Sequence, residues 1–326
     1  MANTRVLSGI RSSGTLHLGN YLGALRNWKD LQHQHECYYF IADWHALTTD
    51  YAQGSDLREN SFQVAVDYLA AGLDPERTAL FVQSAIPEHA ELYLLFSMVT
   101  PLGWLERVPS YKDMQAQLGR DLHTYGFLGY PVLQSADILI YKAAAVPVGE
   151  DQVAHVELTR EIARRFNHLY GSVFPEPAAL LTATPKLPGT DGRKMSKSYG
   201  NTIALGDPPE KVREAIGNMM TDPARKRRSD PGNPEVCPVF DYHKVMSGEK
   251  TVGEVDRGCR TAGIGCVECK RWLFESYQRE IGPLYERRVR YEQNRKEVLE
   301  VLDVGAGRAR KVASATMHEV RKQMKL

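Results

Sequence analysis

The chain has 326 residues, 43% of them hydrophobic and 25% charged, ordinary values for a globular protein with room for two domains and a well-buried core. No apolar run approaches the roughly 20 residues that a membrane-spanning helix needs, and residues 1–5 lack the apolar stretch of a secretory signal, so a cytoplasmic protein with no membrane partner is expected. The net charge of +1 hides a division: residues 1–192 carry 14 Lys and Arg against 21 Asp and Glu, whereas residues 193–326 carry 27 against 19, which suggests that the second half meets a polyanion.

In chain order, residues 5–9 form a short strand ending at Gly9. Residues 18–34 then set Leu18, Leu22, Leu25, Trp28 and Leu31 at helical spacing. Residues 37–42 are a continuous apolar strand of the kind covered on both faces of a sheet, with Cys37 a core residue. A helix over 55–72 takes Ser55 as its cap and Gly72 as its stop. There follow a strand at 79–83, helices at 88–98 and 125–144, a short strand at 146–148 and an amphipathic helix at 151–167. Strands alternating with helices predict an α/β fold with a doubly wound parallel sheet and right-handed crossovers. Ligands bind beyond the carboxyl ends of such strands, so segments 9–20, 43–48 and 149–152 should converge on one crevice.

After residues 188–192 (Pro-Gly-Thr-Asp-Gly) the strand signal fades, and from about residue 208 the chain reads as helical, apart from a loop at 222–237. The expected division is a first domain over 1–205 and a helical one over 206–304. Gly305 and Gly307 break the helical pattern before a last segment, 305–326, that packs back on the first domain.

Two segments carry phosphate chemistry. Ser13-Gly14-Thr15-Leu16-His17-Leu18-Gly19-Asn20 lies between the first strand and first helix, where helix amides and dipole favour phosphate. Gly19 there allows close approach of a nucleoside, and His17 and Asn20 supply donors. About 175 residues on, Lys194-Met195-Ser196-Lys197-Ser198 sets two ammonium groups and two hydroxyls on a glycine-punctuated loop suited to a transferring phosphoryl group. This order resembles the signature pair of class I aminoacyl-tRNA synthetases. The blocks Ser8-Gly9-Ile10-Arg11, residues 38–48 (YYFIADWHALT), residues 130–141 (YPVLQSADILIY) and residues 146–152 (VPVGEDQ) resemble bacterial tryptophanyl-tRNA synthetases over essentially the whole chain.

The resemblance implies a Rossmann-type catalytic domain with a C-terminal helical anticodon-binding domain, a homodimer, and ATP, Mg²⁺, L-tryptophan and tRNA(Trp) as ligands. His17, Asn20, Lys194 and Lys197 would be catalytic. Arg11, Ser13, Gly14, Thr15, Gly19, Gly149, Asp151, Met195, Ser196 and Ser198 would join them in holding ATP. The substrate's carboxylate is itself the nucleophile, so none is required of the protein. Tyr130, Gln134 and Asp137 share one helix face, on which Asp137 can accept the indole N–H. Leu7, Val146 and Val148 form apolar walls beside Gly9, while the resemblance gives His45, Tyr130 and Gln152 to the substrate's ammonium and carboxylate. Gln134 keeps a tyrosyl enzyme open, since the tyrosyl pattern has the same residue. Leu7, where that family has a tyrosine on the first strand, favours tryptophan. A non-translating nucleotidyltransferase on the same fold would not need the basic half.

Cys237, Cys259, Cys266 and Cys269 fall within 33 residues, and their spacing suits a metal. Three near ligands and one remote favour [4Fe–4S] over Zn²⁺, and the resemblance to synthetases that carry such a pattern points the same way. Arg225, Lys226, Arg227 and Arg228 before the cluster, with Arg260 and Lys270 beside it, are expected to meet tRNA.

Overall fold

The computed structural model describes residues 4–51, 56–108, 124–181 and 187–326, with Ser198 described by its backbone alone. Five parallel strands form one sheet: β1 (Arg5–Arg11), β2 (Glu36–Ala42), β3 (Thr78–Val82), β4 (Ala145–Val148) and β5 (Ala178–Leu181), in the order β3-β2-β1-β4-β5. β1 pairs with β2 from Arg5↔Glu36 to Arg11↔Ala42 and with β4 at Val6↔Ala145. The expected first strand is thus two residues longer, which carries Arg11 to the sheet's carboxyl edge. β5, which the sequence reading does not anticipate, is a short edge strand with little buried side-chain surface.

Successive residues of the strands serve opposite faces. Val6, Tyr39, Ile41 and Leu80 pack on one side and Leu7, Tyr38, Phe40, Phe81, Val146 and Val148 on the other, which is why residues 37–42 read as unbroken apolar sequence. The first face is covered by α1, a helical run of Leu18–Asn20, a widened π-type turn at Tyr21–Leu25 and Arg26–Leu31. It is also covered by α3 (Leu57–Ala70), which follows α2 (Asp43–Asp50). The cap of α3 is Asp56, whose Oδ1 accepts from Glu59 N at 3.0 Å; the expected cap Ser55 lies outside the described residues. Gly72 ends that stretch at φ 95°, a conformation that glycine adopts without strain.

The second face is covered by α4 (Glu88–Val99), α6 (Tyr125–Ile140) and α7 (Val153–Tyr170), with a short α5 (Leu102–Leu105) before α6. The helical portion contains α8 (Pro209–Asn218), α9 (Pro238–Met246), α10 (Glu249–Arg260), the long α11 (Cys266–Gln293) and α12 (Arg295–Met324). Ile203, Val212, Tyr242, Leu273, Ile281 and Leu284 belong to the same core cluster as Val6 and Trp28, so the helices extend the sheet's own core. The break expected at Gly305 and Gly307 is absent: α12 runs through both and lies against β3. A Cβ on Gly305 would overlap the Leu80 backbone, so this glycine marks a close approach of helix to strand. Among the described residues no helix is long and apolar enough to cross a membrane.

Candidate active site at the carboxyl ends of the strands

β1 and β4 are neighbours whose connections leave on opposite sides, and the crevice at such a reversal of strand order is where ligands bind. A cavity of about 360 Å³ opens there, within the roughly 300–1,000 Å³ typical of small-molecule sites. It is lined by all nine residues expected around the amino acid: Leu7, Gly9, His45, Tyr130, Gln134, Asp137, Val146, Val148 and Gln152. Gly9 must be small because a Cβ would lie 2.7 Å from the Phe40 ring.

Asp137 is fully buried at the base of this cavity. Its Oδ1 accepts from Gln83 Nε2 (2.7 Å) and lies 2.6 Å from His89 Nδ1, and its Oδ2 lies 2.7 Å from His45 Nε2. The other nitrogen of His89 is 2.7 Å from the Tyr141 hydroxyl. Burial alone would raise Asp137, but the hydrogen bonds from His45 and His89 outweigh it and hold the carboxyl at about 2. With Oδ1 doubly engaged, acceptor capacity remains on Oδ2, beside His45. His45, which the resemblance gives to the substrate's ammonium and carboxylate, lines the cavity and through Nε2 is also bonded to Asp137. Gln83, in the turn just after β3, and His89, at the start of α4, are not legible in the sequence, because nothing in their spacing relates them to Asp137.

One turn away, Gln134 Oε1 accepts from His155 Nδ1 at 2.6 Å, while His155 Nε2 faces the Tyr130 hydroxyl at 3.4 Å. Burial, then the proximity of His45, lowers His155 to about 4. It is thus neutral at pH 7 and takes the tautomer that donates to Gln134. His155 also lines the cavity and was not read from sequence. Arg11 lines it as well, donating to Thr49 Oγ1, and its buried Nε has no partner among the described residues.

The two segments expected to hold phosphate meet just beyond the carboxyl end of β1. Lys197 Nζ donates to the Ser13 carbonyl at 2.7 Å, and a Cβ on Gly14 would lie 4.0 Å from that amine. A Cβ on Gly19 would lie 3.0 Å from the His17 ring and 3.1 Å from Met195 Sδ, so the space that glycine opens is shared by both segments. His17 pairs with Ala204 across an antiparallel bridge. Its ring is lowered to about 4 by burial and then by Lys197, and its buried Nδ1 has no partner among the described residues. Asn20 Oδ1 accepts from His17 N (3.0 Å), fixing the turn.

One expectation needs correcting: Leu18 N, the first amide of α1, donates to the Ile203 carbonyl at 2.9 Å, so this amide is not free for phosphate. Asn201 shapes the lysine loop, accepting from Ser196 N (2.8 Å) and donating to Asp191 Oδ1 (2.8 Å) and Lys194 O (3.1 Å). Lys194 is exposed, Ser196 half-buried and Asp151 exposed beside Gly149, while Thr15 stands in the turn itself.

Cys237, Cys259, Cys266 and Cys269 line one pocket, walled by Val239, Phe240, Val255 and Ile264 and closed by Arg225. All four are free thiols, and among the described residues no three His, Cys, Asp or Glu side chains are grouped to hold a metal ion. Arg225, expected on the tRNA face, is turned inward: it donates to Ile264 O (2.6 Å) and Arg228 O (3.0 Å) and reaches Cys259 Sγ at 3.9 Å. Lys270 likewise donates to Gly217 O and Met219 O, both at 2.7 Å, capping the end of α8. Lys226, Arg227 and Arg228 are exposed, as is Arg260, which pairs with Asp256 and Glu235.

The family described as "tRNA synthetases class I (W and Y)" matches residues 1–280. A tryptophan–tRNA ligase from Thermotoga maritima is 55% identical over 99% of both chains, and one from Aquifex aeolicus is 45% identical over 99% of this chain and all of its own. The crystal structure of a tryptophanyl-tRNA synthetase from Campylobacter jejuni, complexed with ADP and tryptophan, superposes with a TM-score of 0.89 at 36% identity, covering 99% of this chain and 100% of that one. With the parallel sheet, the reversal-point cavity and the paired lysine and histidine segments in place, the chain belongs to the class I tRNA synthetases of the tryptophan and tyrosine family.

Proposed function

We propose that the chain activates L-tryptophan with ATP, forming tryptophanyl-adenylate and pyrophosphate, and transfers the tryptophan to tRNA(Trp). The observation that carries the amino acid choice is Asp137, a buried ionised acceptor on a cavity whose neighbouring walls, Leu7, Val146 and Val148, are apolar. An indole offers one N–H and nothing else polar, which suits a single acceptor. A phenol both donates and accepts and would need a second polar partner, whereas the wall on β1, where the tyrosyl family has a tyrosine, is the apolar Leu7.

In the first step a carboxylate oxygen of tryptophan attacks the α-phosphorus. The bond to the bridging oxygen breaks, and pyrophosphate leaves with the electron pair. The site residues align the reactants and balance developing charge. Lys194 and Lys197 supply cationic tips, while His17, neutral at pH 7, acts as a hydrogen-bonding group rather than a charge. Arg11, Ser13, Gly14, Thr15, Gly19, Asn20, Gly149, Asp151, Met195, Ser196 and Ser198 complete the ATP site in this reading, and Tyr130, His45 and Gln152 that for tryptophan. Mg²⁺, bound with the triphosphate, supplies further charge neutralisation.

The same reading takes residues 1–205 as catalytic, 206–304 as anticodon-binding and 305–326 as part of the closing helix of a cytoplasmic homodimer. Lys226, Arg227, Arg228 and Arg260 would face tRNA. It also gives Cys237, Cys259, Cys266 and Cys269 a [4Fe–4S] cluster. What supports that assignment is the convergence of the four thiols on one apolar pocket. Bound there, the cluster would tie α9, α10 and α11 together.

Amino-acid-dependent ATP–pyrophosphate exchange tests the central claim. Tryptophan should drive exchange, followed by transfer to tRNA; exchange driven by tyrosine would defeat it.

A further inference from the structure

α11 begins at the cysteine pocket with Cys266 and Cys269 and ends beneath the nucleotide turn, where Arg288 lies about 28 Å from Cys269 at 1.5 Å per helical residue. Arg288 is 4% exposed and Asp67 on α3 is fully buried. Arg288 Nε donates to Asp67 Oδ1 at 2.7 Å, Nη1 donates to Glu292 Oε2 at 2.9 Å, and Nη2 donates to Gln63 Oε1. The other carboxylate oxygen of Asp67 accepts from Leu16 N at 2.7 Å. Leu16 precedes His17, and its carbonyl accepts from Leu205 N at 2.8 Å. A Cβ on Gly206 would lie 3.0 Å from the guanidinium carbon, so the strap that follows the lysine loop rests directly on Arg288.

One guanidinium therefore sits under the crossing of both phosphate segments. The group is delivered by a helix of the RNA-facing portion, and the carboxylate that links it to the turn is buried. A buried ion pair of this kind adds little net stability compared with an apolar pair, so its presence asks for another role. We propose that Arg288, acting through Asp67, is a positioning residue: it fixes the Leu16–His17 backbone against the 203–206 strap and so sets the affinity for ATP from the helical half of the molecule. The inference rests on reading these segments as the ATP site.

The test uses the full chain. MgATP binding by calorimetry and ATP–pyrophosphate exchange are measured for wild type, Arg288→Met, Arg288→Lys and Asp67→Asn. Misplacement of a binding turn by a fraction of an ångström should weaken ATP by about 10-fold or more in Arg288→Met and Asp67→Asn, while KM for tryptophan changes by less than about twofold. Arg288→Lys, which keeps the charge but loses the fork, should recover part of the ATP affinity and keeps the test open if Arg288→Met fails to fold.

Leu284→Ala, one turn earlier on α11 and 1% exposed, serves as the packing control: it should lower Tm yet leave ATP affinity within about twofold. Equal losses for ATP and tryptophan, or an ATP-selective loss in Leu284→Ala, would overturn the proposal. Wild type that binds MgATP but shows no tryptophan-dependent exchange would instead count against the proposed function, and the calorimetric comparison would still decide the role of Arg288.

Discussion

The amino acid cavity and the cysteine pocket are both enclosed by several elements, yet they are finished to different degrees. At the cavity base Asp137 already has Gln83, His89 and His45 around it, and Gln134 and Tyr130 have His155. A ligand entering there finds an acceptor of fixed charge and direction. In the cysteine pocket, burial, with Cys237, Cys259 and Cys266 adding to it, pushes the Cys269 thiol up to about 12, and the buried Nε of Arg225 has no partner among the described residues. Cys259 Sγ accepts from Arg225 Nη1 at 3.9 Å and Cys269 Sγ lies 3.5 Å from His243 Nε2, long contacts to weakly polar sulfurs. The first region is organised by short hydrogen bonds among its own side chains; the second brings four thiols together on an apolar pocket.

The largest effect should come from breaking the finished region. Asp137→Asn replaces an ionised acceptor by an amide whose N–H₂ would face the donors around it. We expect kcat/KM for tryptophan in pyrophosphate exchange to fall by roughly 10²-fold or more, because buried groups are left unpaired. Stability should fall by roughly 3 kcal/mol, read from urea unfolding. His89→Gln, which touches Asp137 without lining the cavity, should show the same directions at smaller size. An unchanged tryptophan kcat/KM in Asp137→Asn would remove the basis for calling this region preorganised.

The contrast also explains what could be read from sequence. The sheet was legible because both of its faces are buried, which leaves unbroken apolar runs such as residues 37–42. The face shared by Tyr130, Gln134 and Asp137 was legible because it follows helical spacing within one element. Gln83, His89, His155 and Arg288 were not: each meets its partner across elements, and their local sequence differs in nothing from ordinary surface positions. Arg225 and Lys270 misled for a related reason. A basic residue in a basic stretch looks solvated until the carbonyls of Ile264, or of Gly217 and Met219, are seen to capture it. Gly305 was read as a break because glycine disfavours helix, whereas the strand behind it leaves no room for any other side chain.

The second region is tested by loading. Anaerobically purified protein should carry iron and sulfide and be brown; colourless protein with stoichiometric zinc would reassign the pocket. Cys266→Ser should lose the iron and lower Tm, since a site that organises thiols contributes to folding. KM for tryptophan should stay within about twofold, as expected of distant sites with no shared partners. A coupled loss of tryptophan affinity would mean that the two regions are not independent.

A smaller effect tests the finished region by pH. His155 falls from an unfolded value near 6.5 to about 4 on folding, so the folded protein resists its protonation. The stability this contributes is complete above pH 6.5 and is lost as pH falls toward 4, by roughly 3 kcal/mol over that window. His17, also lowered to about 4, acts in the same direction, so the comparison must be with His155→Gln, which should flatten the slope by its own share. Asp137, held at about 2, keeps its hydrogen bonds throughout this window and does not confuse the reading.

The smallest expected effect separates exposed from captured cations around the cysteine pocket. Lys226→Ala, Arg227→Ala and Arg228→Ala should each weaken tRNA binding modestly, with Tm unchanged. Each should also reduce the slope of log K against log salt by about 0.7–0.9 for every phosphate it no longer neutralises. Arg225→Ala should do the reverse, lowering Tm by removing the hydrogen bonds to Ile264 and Arg228 while leaving the salt slope close to wild type. If Arg225→Ala changed the slope as much as its neighbours, its inward pose would not be the one met by tRNA. The basic loop would then act as a single charged surface, as its sequence alone suggests.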